Sequence, residues 1–225
     1  MQRTDKHDLL TEPKPNSLFS FVFAFSFLLI IQLSPLFVII YNFLIFPFTL
    51  IHEISHCIAL RCFFPGNESQ IKFHLFDNGI SCGNVEFETL PICWGAIISI
   101  LIGPLMVLII GLSGIVWTRK HESNSIKKAG NQFFKFLLLC EIPNLFPIHP
   151  PLIGAATDGY ITTVYLFLMG HTPFVSSELS MLLFGIASII SFTAFYYLGS
   201  VVYILLVQSK EKVLSYNRDL WPQLG

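Results

Sequence analysis

The sequence predicts an all-α polytopic membrane protein of about five to six transmembrane helices, with a broken helix at the active site and a small β-hairpin insertion. Three observations predict it. Of the 225 residues, 53% are hydrophobic and only 12% charged, about half the roughly 25% charge that a soluble domain carries. Apolar runs recur at or above the roughly 20 residues that one span needs. From Phe133 to Leu168 an apolar run is interrupted by Pro143, Pro147, Pro150, Pro151 and Gly154, which excludes a straight helix and requires the broken backbone to be buried in protein or to line a wet cavity. The formal net charge of -1, from 13 basic and 14 acidic residues, leaves no basic excess for a phosphate backbone. The lipid bilayer is therefore the expected partner, and nucleic acid is not.

The elements follow in order. Residues 1–17 form a polar, turn-rich tail, and 18–208 a single membrane domain. From Leu18 to Cys62 the chain is almost wholly apolar and long enough for two spans. Their break falls at Ser34-Pro35, which fits a cap followed by Pro at the first helical position, or near Tyr41-Asn42; the first is preferred. Residues 63–90 hold the hairpin insertion: Gln70 to Phe76 alternates, Asp77-Asn78-Gly79 turns, and Ile80 to Phe87 runs back. Ile92 to Trp117 is a further span whose glycines let neighbours approach closely. The last span is Leu179 to Val207, and 209–225 is a polar tail. Two spans before Arg61 place the N-terminal tail and the hairpin loop on one side, with five basic residues. A single crossing by Phe133 to Leu168 gives the other side eight, so the loop at His121 is expected in the cytoplasm.

The chemistry lies in the second helix, where His52-Glu53-Ile54-Ser55-His56 forms an H-E-x-x-H motif among Phe, Leu and Ile. Histidines at i and i+4 share a helix face, with Cβ atoms about 5–6 Å apart, so both imidazoles reach one tetrahedral zinc. Glu53 flanks that face. There it takes a proton from a water that the metal activates and passes it to a leaving amine. Each ionisable group at mid-membrane costs about 2.5–3.5 kcal/mol on insertion scales, and a bound metal compensates three of them at once. Residues lining a polar crevice are the plainer reading.

A zinc hydrolase needs a third protein ligand and an open fourth position. Glu141, His149 and Asp158 stand at suitable depth in the broken segment. A carboxylate would lower the site's charge from +2 to +1, which eases holding the ion in a low-dielectric setting. Asp158 is followed by Gly159, whose missing side chain leaves room for a neighbouring backbone.

His52-Glu-Ile-Ser-His56 in an early helix, Gly103-Pro104-Leu105 in a later one, and Asn144-Leu-Phe-Pro147 followed by Asp158-Gly159 together resemble the site-2 protease family of intramembrane zinc metalloproteases. The resemblance covers about Leu44 to Leu168. It implies a three-helix catalytic core that cleaves transmembrane segments of other membrane proteins. It also implies Zn2+ held by His52, His56 and Asp158, Glu53 as catalytic base, and Asn144 holding the substrate backbone. The chain departs from the family pattern in the stretch from Pro147 to Asp158 and in Thr157 before the aspartate. The hairpin, through Phe73 and Leu75, is expected to bind substrate as an added strand.

The expected function is therefore a zinc-dependent intramembrane endopeptidase. A transporter or channel with a midplane polar site is the rival from another class, but it calls for paired interruptions in two halves, and only one segment is strongly interrupted. A zinc-binding scaffold of the same fold that has lost proteolysis is a second rival, which the intact Glu53 disfavours. His74 reads as a solvated strand residue, and Asn67-Glu68-Ser69 matches a glycosylation sequon.

Overall fold

The computed structural model describes residues 16–66, 68–73, 83–87, 90–119, 125–150 and 156–220. Its elements are α1 (Ser17–Leu33), α2 (Pro35–Phe63), β1 (Ser69–Phe73), β2 (Gly83–Phe87), α3 (Trp94–Arg119), α4 (Ser125–Glu141), a 3-10 turn (Ile142–Leu145), α5 (Asp158–Leu168) and α6 (Ser177–Leu220). The chain is predominantly helical. Val38–Phe63 within α2, the whole of α3, and Ser177–Lys210 within α6 are long and apolar enough to cross a bilayer.

The break between α1 and α2 is one extended residue, Ser34, at φ -138° and ψ 114°. Its side chain makes no capping hydrogen bond; Pro35 ends α1, because proline disfavours helical backbone in the residue before it, and its own fixed φ suits the start of α2. The apolar faces of α1, α2, α4 and α6 meet in one cluster around Ala24, Val38, Tyr41, Phe136, Ala194 and Phe195. Polar pairs join helices where no water is available, as between the hydroxyls of Ser20 and Ser200 at 2.8 Å and from the Asn131 amide to Thr118 Oγ1 at 2.9 Å.

Contacts set the helix directions. His56 meets Ser99 and Phe63 lies beside Gly95, so α2 and α3 are antiparallel. Leu138 lies beside Gly111 and Phe134 beside Gly114, so α4 runs antiparallel to α3. Tyr165 donates to the Leu90 carbonyl at 3.3 Å, which carries α5 onward toward the start of α3. Thus α4 and α5 run in one direction on either side of the break. Lys135 lies over the Tyr197 ring and the His149 amide donates to Ser180 Oγ at 2.7 Å, which turns α6 back toward the Arg119 end.

One arrangement departs from the sequence expectation. Phe19 packs on Tyr203 and Phe27 on Phe195, so α1 runs antiparallel to α6 and begins at the Arg119 end. The end of α2, at Phe63, lies at the opposite end of the bundle. The start of α1 and the strand-bearing insertion therefore do not share an end, and α1 with α2 does not make two full passages. The physical reason is length: α1 has 17 residues, about 25 Å of helix against a hydrocarbon core of about 30 Å.

The strands pair antiparallel in the register Ser69↔Phe87 through Phe73↔Gly83. They pack against α2, and the connection between them, 74–82, lies outside the described residues.

Candidate metal centre

The site is assembled on α2, whose helical repeat puts His52 and His56 one above the other, with exposures of 8% and 7%. Their Nε2 atoms face each other at 2.9 Å. Each Nδ1 points outward to an acceptor. His56 Nδ1 donates to the Ser99 carbonyl of α3 at 2.7 Å, and His52 Nδ1 meets Glu141 Oε1 at the end of α4 at 3.0 Å. A carbonyl or carboxylate oxygen can only accept, so these partners put the proton of each neutral ring on Nδ1 and leave both Nε2 atoms as lone pairs.

Asp158 closes the cluster from α5. Its Oδ2 lies 3.2 Å from His52 Nε2 and 3.8 Å from His56 Nε2. Local chemistry explains how it arrives there. Thr157 caps α5 by accepting from the Tyr160 amide at 3.1 Å and donates to the Phe146 carbonyl at 2.5 Å. Gly159 lets the first turn of α5 lie directly on the backbone of Leu145 and Phe146, where a Cβ would overlap. At Gly103 a Cβ would overlap the His56 ring, so that glycine lets α3 approach this imidazole.

The donors fit a tetrahedral ion. Three ligands on one face of a tetrahedron, each about 2.0–2.1 Å from the metal, are about 3.3–3.4 Å apart. The three separations here, 2.9, 3.2 and 3.8 Å, scatter around that value. Two lone pairs and a carboxylate oxygen at such spacing repel one another unless a cation or a shared proton lies among them. The ligating atoms of His52, Glu53 and His56 likewise all fall within 4.8 Å of one another, and all three residues are buried. This buried cluster can hold a metal ion. Glu53, 6% exposed, has its carboxylate within hydrogen-bonding reach of the Val85 backbone on β2, while Ser69 and Ile71 of β1 line a hollow with Ile54, Cys57 and Ile58 of α2.

Asn144 stands in the 3-10 turn and donates through Nδ2 to Glu141 Oε1 at 3.0 Å. Of the expected substrate-contacting residues, Phe73 ends β1 opposite Gly83, and Leu75 lies outside the described residues, as do His74 and Asn67. The other two candidates for third ligand are engaged elsewhere. Glu141 meets His52 on the ring nitrogen that faces away from Asp158. His149 Nε2 bonds the Val175 carbonyl at 3.0 Å, and its ring packs on Tyr160 and Phe174.

Sequence reasoning missed the supports behind the ligands: the Ser99 carbonyl, Glu141 as a partner of His52, and Thr157 as the clasp on α5. Only Glu141 left a signal, as a carboxylate closing an apolar helix three residues before Asn144. Compared with known proteins, the chain matches no family model, no curated protein and no solved structure.

Proposed function

We propose that this protein is a zinc-dependent intramembrane endopeptidase of the site-2 protease kind, with four helical passages (α1 with α2, α3, α4 with α5, and α6) rather than five or six, and a β-hairpin that receives substrate. The observation that carries the reading is the convergence of His52 Nε2, His56 Nε2 and Asp158 Oδ2 beside Glu53, among helices of bilayer-spanning length. Two imidazoles and one carboxylate from the protein suit zinc with an open position. When bound, the ion supplies Lewis acidity, lowering the pKa of a water to about 7 and polarising a carbonyl.

The chain's own residues carry the rest. Glu53 accepts the proton of the attacking water and returns it to the leaving amine. Asn144 hydrogen-bonds the substrate backbone beside the site. The strand pair, through Phe73, Leu75 and the β2 edge near Glu53, holds an unwound segment extended. Unwinding is required because an intact helix keeps its carbonyls in internal hydrogen bonds, away from a nucleophile.

The test combines metal analysis with one isosteric substitution. Glu53→Gln keeps the shape but cannot take the proton. Purified in detergent, it should hold zinc near one ion per chain while cleaving a quenched transmembrane peptide about 10²–10⁴ times more slowly. Full activity in that variant, or no metal in the unaltered protein, refutes the reading.

A further inference from the structure

We infer that Glu141 is a positioning residue whose one oxygen, Oε1, holds both the imidazole of His52 and the amide of Asn144, and so ties the metal ligand to the group that meets the substrate. This rests on the metal-centre reading above.

Glu141 is 9% exposed and is the last residue of α4, where the helix tightens into the 3-10 turn. That change of helix type brings Asn144, three residues on, back over the carboxylate. Oε1 is 3.0 Å from His52 Nδ1 and 3.0 Å from Asn144 Nδ2. A carboxylate only accepts, so both contacts are donations into one oxygen. The two have different consequences. On His52, an acceptor at Nδ1 fixes the ring plane and the tautomer and makes Nε2 a more basic donor to the metal. On Asn144, the amide is oriented with Nδ2 toward Glu141, which leaves Oδ1 as the acceptor end for an N–H of an extended peptide. A carboxylate in this place cannot be a ligand without abandoning His52, because it lies at the ring nitrogen opposite the metal-facing one. Asp158 and Glu141 therefore divide the work: Asp158 touches the ion, and Glu141 aims what touches it.

The experiment measures metal affinity and spectrum in the full chain purified in detergent. Zinc is titrated against a chromophoric chelator, and Co²⁺ is substituted to read its visible absorption bands. Glu141→Ala should keep the one-ion stoichiometry but bind zinc about 10–100-fold more weakly, as for other lost partners of ligating histidines. Its cobalt bands should shift. Glu141→Gln, which keeps an acceptor oxygen and the side-chain volume, should fall between Glu141→Ala and the unaltered protein. Asn144→Ala should leave zinc affinity within about threefold, because it removes a donor to Glu141 and not the acceptor of His52. With a quenched transmembrane peptide, the Glu141→Ala and Asn144→Ala effects on KM should be non-additive, since both act through one oxygen. Unchanged affinity and unchanged cobalt bands in Glu141→Ala overturn the inference, as does a Gln variant no better than Ala. If the unaltered protein binds no metal, the metal-centre reading itself falls; if it binds metal and Glu141→Ala is indifferent, only this inference does.

Discussion

His52 and His56 present the same nitrogen inward because each has its other nitrogen bonded outward, to Glu141 and to the Ser99 carbonyl. The inward pair was legible in the sequence, since i, i+4 spacing alone places two rings on one face. The outward bonds were not legible, because their partners come from α3 and α4, and nothing in H-E-x-x-H says which backbone carbonyl or carboxylate will stand behind each ring. The choice of Asp158 over His149 rests on the same kind of detail. Asp158 Oδ2 reaches both Nε2 atoms, whereas His149 is bonded to Val175 and stacked among Tyr160 and Phe174. Asp158→Ala should therefore lose most of its zinc, and His149→Ala should keep it. Metal content per chain checks this, and retention by Asp158→Ala with loss in His149→Ala would reverse the assignment while sparing the metalloprotease reading.

At the scale of elements, the interruption was readable because four prolines and Gly154 fall within twelve residues, more than one helix absorbs, whereas the single Pro47 and Pro104 stay inside α2 and α3. Its outcome was less readable. Where α4 stops and α5 begins depends on Thr157 and Gly159 finding the backbone of Phe146 and Leu145, a contact between residues more than ten positions apart. Alternation from Gln70 and the return through Phe87 likewise anticipated the pairing of β1 with β2, but not which strand would lie by the motif. Both strands do: the Val85 backbone of β2 lies near Glu53, and Ser69 and Ile71 of β1 share a hollow with Ile54 and Cys57. The Val85 N–H is the donor that faces the Glu53 carboxylate, so proline at Val85 should remove one hydrogen bond to the proposed base, about 1 kcal/mol, and lower kcat/KM by about fivefold or more. Val85→Ala, which keeps the N–H, should stay near the unaltered rate. Zinc content should hold in both. Equal cleavage by the proline variant would show that the Val85 N–H does not support Glu53.

At the scale of the whole molecule, the helix directions decide how charge is distributed between the two ends of the bundle. α1 begins, α3 finishes and α6 leaves at one end, the end from which α4 starts. The 44 residues of α6 make about 66 Å of helix, about twice a bilayer core, so its last turns run on past that end. Among the described residues, Arg119, Lys127, Lys128, Lys135, Lys210, Lys212 and Arg218 belong to segments at this end, against Arg61 and Lys72 at the other; in the sequence, Arg3, Lys6 and Lys14 precede α1 and Lys120 follows α3. Hydropathy alone gave a weaker contrast, because it read Leu18 to Cys62 as two full passages and moved three of these residues to the opposite side; only the packing of Phe19 on Tyr203 and Phe27 on Phe195 reveals the difference. The positive-inside rule would then put the Arg119 end in the cytoplasm and the strand pair on the far side. The direction shared by α4 and α5 is the one expected of a single crossing by the broken segment, which would put the loop after Arg119 and the C-terminal tail on the same side. Single cysteines at positions 10, 122 and 215, in a background without the native cysteines, should all be shielded from an impermeant thiol reagent in right-side-out vesicles, and one at position 68 should react. Labelling that separates 122 from 215 would mean that the broken segment does not cross once, and reaction at position 10 alone would restore the two-passage reading of α1 and α2.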